Sequence, residues 1–312
     1  MEKIKIGKNG LEGSGLILGC MRIDKLETRQ IEELVETAMG LGINYIDLSD
    51  YYKLGLCEEK FGKALALHPE WRENLIIQDK FGICPNEEKT GIGYFDFSEK
   101  HLLEAVDNSL RLLHTDHLDV MLLHRPDTLF EPEEVASAFE KLYKSGKALN
   151  FGVSNHTPAQ IELLKKYSPV PIVIDQLQLS ILECPMIGSG LNMNLGNDLA
   201  VERTGGVLEY MRMNDITLQA WSPFQIGFFE GCFLDNPDYP ELNAALKEYA
   251  DKFGVSKSAV AAAWIMRHPV KSQVLVGTTN AEHLRQAAEY EKVRLERRDW
   301  YALYKAAGHI LP

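Results

Sequence analysis

The sequence lacks the features that define several large protein classes. Its five cysteines, Cys20, Cys57, Cys84, Cys184 and Cys232, are odd in number and show no CxxC or CxxxC spacing, which argues against a disulfide framework or a zinc ribbon. No apolar run approaches the ~20 residues of a membrane span, and the opening MEKIKIGKNG has no apolar centre like that of a secretory signal. A cytoplasmic protein without a membrane partner is therefore expected. Basic charge is also scarce: 33 Lys and Arg face 45 Asp and Glu, for a net charge of −12. Such a chain repels phosphate backbones, so nucleic acid is not an expected partner, although a local pocket for one anionic ligand is compatible with that balance. The acidic surface favours a monomer. No Pro-, Ser- or charge-rich linker divides the 312 residues, so residues 1–312 read as one domain. What remains, 45% hydrophobic and 25% charged residues, is the composition of an ordinary globular protein.

Short β-branched runs alternate with amphipathic helical segments. KIKI and GLILG flank a Gly-rich turn over Gly10–Gly15, which predicts a hairpin leading into a first strand. Further strands are expected at Ile43–Asp47, Asn74–Asp79, Leu118–Leu123, Leu149–Val153, Ile172–Asp175, Ile216–Ala220 and Val274–Val276. The helix signals lie between them. In Ser98–Leu113 the residues Leu102, Leu103, Val106, Leu110 and Leu113 recur at helical spacing, and Pro132 opens the next helix. Eight strands, each followed by at least one helix, imply parallel pairing with right-handed crossovers. The size fits an α/β fold, a (β/α)8 TIM barrel with an N-terminal β-hairpin and elaborated loops on its C-terminal face. An open doubly wound sheet is the rival, because a strand count does not show closure. Ile83–Phe97 and Ser180–Ala200 are the longest irregular stretches, and both follow strands.

In a barrel, reactive groups gather just after the strand C-termini. Those positions hold Cys20 and Met21, then Asp47, Lys80, His124, Ser154 and Asn155, Gln176, Trp221 and Ser222, and Gly277 and Thr278. Each has a plain structural reading: Asp47 as a turn cap, Lys80 as a solvated strand end, His124 as a satisfied core histidine, Ser154-Asn155 as the N-cap region of Pro158–Tyr167. Their joint presence at one end of a barrel favours chemistry. Tyr52 lies five residues beyond Asp47 on a short loop. A phenol has a pKa near 10, and an adjacent ammonium lowers it. Lys80 supplies that charge, Asp47 pairs with the lysine, and His124 is placed to hydrogen-bond a substrate oxygen. The set donates a proton to an oxygen and contains no evident nucleophile or metal cluster.

The stretches IDLSDYY, QDKFG, SLRLLHTDHLDVMLLHRPD, GKALNFGVSN, LQAWSPF and VGTTNAEHLRQAAE resemble the aldo-keto reductase family, in family order, across Ile46–Glu289. AWSPFQIGFFEG is similar in particular to a bacterial branch of predicted oxidoreductases in that family. The resemblance implies reduction of a small-molecule aldehyde or ketone by NADP(H), with NAD(H) as the alternative. It implies Tyr52 as general acid, with Lys80, Asp47 and His124 as its companions. It implies Ser154, Asn155 and Gln176 on the nicotinamide carboxamide, Trp221 stacked on the ring, and Ser222 to Gly227 on the pyrophosphate. Gly277, Thr278 and Arg285 fit the cofactor-phosphate region, where Asn280 and His283 stand in place of the Lys and Arg of many relatives. Thr279–Glu282 also reads as a capping box, whose helix N-terminus favours a phosphate.

Two other readings bear on the same residues: a nicotinamide-binding sensor or scaffold with little turnover, and a metal-dependent barrel hydrolase. Only His124 and Asp47 suit the latter. Gly13-Ser-Gly15-Leu-Ile-Leu-Gly19 falls short of a dinucleotide fingerprint because its last gap is three residues and it runs into a strand. The cysteines read as packing residues, with Cys20 and Cys57 near the site, and Met211 and Met213 as packing near a helix end.

Overall fold

A computed structural model describes residues 1–8 and 10–312. Two short strands, β1 (Lys3–Ile6) and β2 (Leu11–Ser14), form an antiparallel hairpin. Eight parallel strands then close a barrel. In order around it they are β3 (Leu16–Gly19), β4 (Tyr45–Asp47), β5 (Ile76–Phe81), β8 (Leu118–Leu123), β9 (Ala148–Ser154), β10 (Ile172–Gln178), β11 (Thr217–Trp221) and β12 (Ser272–Val276). Pairing of β12 with β3 seals the ring, with Val274 opposite Leu16, so closure decides against the open sheet. The helices between strands are α1 (Thr28–Gly40), α2 (Leu56–Leu67), α3 (Glu99–Leu113), α4 (Pro132–Lys144) and α5 (Pro158–Tyr167). They continue with α6 (Pro185–Leu191), α7 (Val207–Asn214), α8 (Pro240–Phe253), α9 (Lys257–Met266), α10 (Ala281–Ala288) and α11 (Arg297–Ala306).

The expected hairpin pairs KIKI with Leu11–Ser14, not with GLILG, and residues 7, 8 and 10 lie in its turn. GLILG is buried on both faces, as a barrel strand must be, and cannot also serve as a hairpin edge. The stretch Ile83–Phe97, expected to be irregular, contains a second hairpin, β6 (Ile83–Pro85) with β7 (Ile92–Phe95). Ser180–Ala200 likewise contains α6. The N-cap of α10 is Asn280, whose side chain accepts from Glu282 N at 2.9 Å, and the N-cap of α5 is Thr157. Met211 is buried, as expected, but Met213 is exposed.

The barrel wall separates two apolar layers. Inside, Ile17, Tyr45, Val120, Leu122 and Ile174 pack together, and Ile6 of the first hairpin plugs the N-terminal end. Outside, the helices cover the strands with a larger core. In α3 the residues Leu102, Val106, Leu110 and Leu113 are buried, and the Ser98 side chain caps the first turn. Helices α2 and α3 approach closely at Gly62, where a Cβ would lie 2.0 Å from the Leu112 carbonyl oxygen. Backbone cannot move aside cheaply. Gly62→Ala should therefore cost about 3 kcal/mol and lower Tm by roughly 6–10 °C in a thermal melt. Gly40→Ala in α1, which meets nothing within 4 Å, should leave Tm unchanged or slightly higher.

Candidate active site

All eight barrel strands end at one face, and the polar groups expected there converge on Asp47. Its Oδ1 accepts from Lys80 Nζ at 2.7 Å, Gln78 Nε2 at 2.7 Å and Gln176 Nε2 at 2.9 Å, and its Oδ2 accepts from Lys80 Nζ at 2.6 Å. The lysine donates further to the Leu48 carbonyl at 2.6 Å. Both members of the pair are fully buried. The Lys80 ammonium lies 4.8 Å from the centre of the Tyr52 ring, and the Tyr52 and His124 rings meet edge to face at 5.8 Å. Tyr52, Lys80, Asp47 and His124 thus form one cluster, although they come from three strand ends and a loop.

Burial is the largest influence on Tyr52, Lys80 and His124. It opposes a charged Lys80, but Asp47 and Tyr52, through charge and hydrogen bonding together, outweigh it and hold the ammonium above its ordinary range. Burial pushes the Tyr52 phenol up to about 12 while Lys80 pulls it down. The sequence anticipated the lysine's direction of action, but the net shift is upward because the phenol is cut off from water. Burial, with the Lys80 and Arg125 cations, takes His124 well below its ordinary range, so its ring is neutral at pH 7. The Cys20 thiol, buried and facing Asp47, is pushed well up and is no nucleophile. Behind Lys80 lie Glu58 and Asp79, both raised first by burial.

Several groups of this face escaped the sequence reading, among them three glutamines, Gln78, Gln219 and Gln273, that join the anticipated Gln176. Gln78, Gln176, Gln219 and Gln273 form an amide chain across the barrel lumen. Gln219 Oε1 accepts from Gln78 at 2.8 Å and Gln176 at 3.0 Å, and Gln219 in turn donates to Gln273 at 3.0 Å. The signal was there in each case, a glutamine interrupting an apolar strand. Ser49 Oγ lies 2.9 Å from His124 Nδ1 and 3.1 Å from the Lys80 carbonyl oxygen. Ser49 has one hydroxyl proton: when it goes to the Lys80 carbonyl, His124 Nδ1 carries the ring proton and donates to Oγ, and when it goes to Nδ1, Nε2 carries the ring proton. Arg125 is the other omission.

The remaining expected residues fall along the same face. Asn155, with φ of 61°, donates to Ser154 Oγ at 2.8 Å and to the His124 carbonyl at 3.3 Å, and its Oδ1 accepts from Trp221 Nε1 at 3.1 Å. Both Gln176 amide hydrogens are directed inward, which leaves its Oε1 as an acceptor. Trp221 is half-buried, with Phe229 loosely stacked at 6.4 Å. Ser222 has φ of 53° and donates to Gln225 at 3.2 Å. A Cβ at Gly227 would meet the Glu230 carboxyl group at 3.0 Å. The Gly277 carbonyl accepts from Arg22 at 3.0 Å, and Thr278 Oγ1 lies 3.4 Å from His283 Nδ1. Arg285 points to Glu282 and Thr37. Cys57 contacts the Met21 carbonyl at 3.5 Å beside this face. No group of three or more metal-ligating side chains occurs among the described residues.

A closed parallel barrel with a buried lysine–aspartate pair under a tyrosine and a histidine is the frame of a barrel enzyme. The family model described as "Aldo/keto reductase family" matches residues 15–307. The chain is 32% identical to oxidoreductase YdhF of Escherichia coli, with all of both chains covered. It is 31% identical to a 6-dehydroglucose reductase of Agrobacterium fabrum, covering 98% of each. Among solved structures, the thermostable aldo-keto reductase Tm1743, bound to the inhibitor epalrestat, matches with a TM-score of 0.78 at 26% identity, over 98% of this chain and 100% of that one. The chain belongs to the aldo/keto reductase family and is an oxidoreductase of the kind that reduces carbonyls with a nicotinamide cofactor. Among the described residues no helix is long and apolar enough to cross a membrane.

Proposed function

We propose that this protein reduces an aldehyde or ketone to an alcohol with NADPH, and that Tyr52 delivers the proton. The observation that carries the reading is the buried Lys80–Asp47 pair placed against Tyr52 beside a neutral His124. The bound dinucleotide supplies the hydride. Tyr52 gives its proton to the carbonyl oxygen as negative charge gathers there, and His124 donates a hydrogen bond to the same atom. Lys80 stabilises the phenolate left behind, and Asp47 fixes the ammonium. Both are positioning residues.

The residues present fit a dinucleotide. Gln176 offers an acceptor, its Oε1, that no described residue engages, for a carboxamide N–H, with Ser154 and Asn155 adjacent. Trp221 presents an aromatic ring at the mouth, and Ser222 to Gly227 follow it. Gly277, Thr278, Asn280 and His283 surround the N-terminus of α10, where the positive end of the helix dipole suits a phosphate. Arg22 and Arg285 add positive charge there, while Glu282 opposes it. NADPH should therefore bind more tightly than NADH, by about tenfold. Separate titrations of the two, followed by a carbonyl panel containing reactive aromatic aldehydes and dicarbonyls, test the reading. Turnover with NADPH supports it. Tight binding without turnover favours a sensor, and no nicotinamide binding overturns both.

A further inference from the structure

We propose that Arg125 determines substrate specificity by binding an oxyanion, a carboxylate or phosphate, carried on the carbonyl substrate. The inference rests on the carbonyl-reductase reading and names the substrate class for that site.

Arg125 directly follows His124 at the end of β8, so the backbone holds its side chain at the barrel mouth. The guanidinium lies 5.8 Å from the Trp221 ring and 5.6 Å from the Phe228 ring. Contact with aromatic faces leaves the N–H edges of a planar guanidinium available for in-plane acceptors. Among the described residues, no carboxylate, carbonyl or hydroxyl accepts from it, although the side chain is only half-exposed. Five donors with a full positive charge are thus partly withdrawn from water without a protein acceptor. Three other cations of this face are engaged: Lys80 with Asp47 and Leu48, Arg22 with the Gly277 carbonyl, Arg285 with Glu282 and Thr37.

Arg125 also belongs electrostatically to the reacting cluster. Its charge helps to hold His124 neutral, and Tyr52 acts back on it. An oxyanion one short spacer from the carbonyl can meet the guanidinium while the carbonyl oxygen meets Tyr52 and His124. A bidentate, charge-assisted contact in a partly desolvated place is strong and directional. The chain's net charge of −12 offers an anion little attraction elsewhere, which makes this local cation the discriminating element.

The test uses matched carbonyls with NADPH: 4-carboxybenzaldehyde against methyl 4-formylbenzoate for a carboxylate, and pyridoxal 5′-phosphate against pyridoxal for a phosphate. At least one anionic member should exceed its neutral partner in kcat/KM by about tenfold or more, and the pair that does so identifies the oxyanion. Arg125→Met should abolish that preference, mainly through KM, so that the anionic and neutral members of each pair are reduced with the same kcat/KM within about twofold, while NADPH affinity is retained. Arg125→Lys, which keeps the charge but not the fork, should restore part of it. Calorimetric titration of terephthalate and phenyl phosphate reads the same contact without turnover. Loss of binding in Arg125→Met supports the proposal, and unchanged binding overturns it. Equal losses for charged and neutral substrates, or a loss of NADPH affinity in place of the preference, also overturn it. Failure to reduce any of the four carbonyls would instead overturn the proposed function, and the titrations would still decide Arg125.

Discussion

Tyr52→Phe is expected to lower carbonyl reduction by about a thousandfold while leaving NADPH affinity within about twofold. The substitution removes one oxygen and keeps the ring packed against His124 and over Lys80. The proton must then come from water or from a neutral imidazole, each a poorer and less well placed donor. The pH profile tests the same assignment. With the phenol pushed up to about 12, Tyr52 stays protonated through the neutral range, so reduction should be flat there. The reverse reaction, oxidation of an alcohol, needs the phenolate. Its rate should climb about tenfold per pH unit below that value. His124 is held well below its ordinary range, so neither direction should show a histidine inflection near its usual ~6.5. An unaltered rate in Tyr52→Phe, or oxidation that fails to rise with pH, would remove Tyr52 from its role.

Lys80→Met is expected to act on both stability and rate. It leaves the fully buried Asp47 carboxylate with only the Gln78 and Gln176 amides as partners. Removing one member of a buried ion pair costs about 3–5 kcal/mol, measurable by urea unfolding. The double variant Asp47→Asn with Lys80→Met should recover most of that loss, because no unpaired charge remains buried. Activity should not recover with it. Lys80 is the cation that pulls the Tyr52 phenol down against burial. Its loss therefore shifts the rise in alcohol oxidation to still higher pH and lowers the reductive rate by about a hundredfold or more. A purely structural lysine would give a double variant restored in both stability and rate, with the pH profile of the native protein.

Much of this molecule is set by local physics and so can be read along the chain. The helical spacing of Leu102, Val106, Leu110 and Leu113 predicts α3 because a helix repeats its face every three to four residues whatever it packs against. The unbroken apolar run Leu118–Leu123 marks a strand covered on both sides, and the alternation of such runs with helices implies parallel order. Strand ends then locate Asp47, Lys80 and His124, since in a barrel they all open to one face. The second hairpin was less legible: its strands are three and four residues long, and β7 is mostly exposed, so hydrophobic periodicity is faint.

Tertiary structure decided what depends on distance and on water. Closure needed β12 to meet β3, a pairing between residues 258 positions apart that no local pattern encodes. Gln78, Gln219 and Gln273 look like isolated interruptions in their strands until the barrel brings their amides together. The sequence indicated that Lys80 would lower the Tyr52 pKa, but not that burial would outweigh it, because desolvation is the sum of everything packed around the phenol. Arg125 is one more arginine in the sequence. Only the folded protein shows that no acceptor among the described residues comes to meet it. The sequence by itself thus determined the elements and the chemical character of the site, because periodicity and residue type are local properties. The charge states, the amide chain and the unmet cation were decided by the tertiary structure, because each depends on which distant groups exclude water and which arrive within hydrogen-bonding reach.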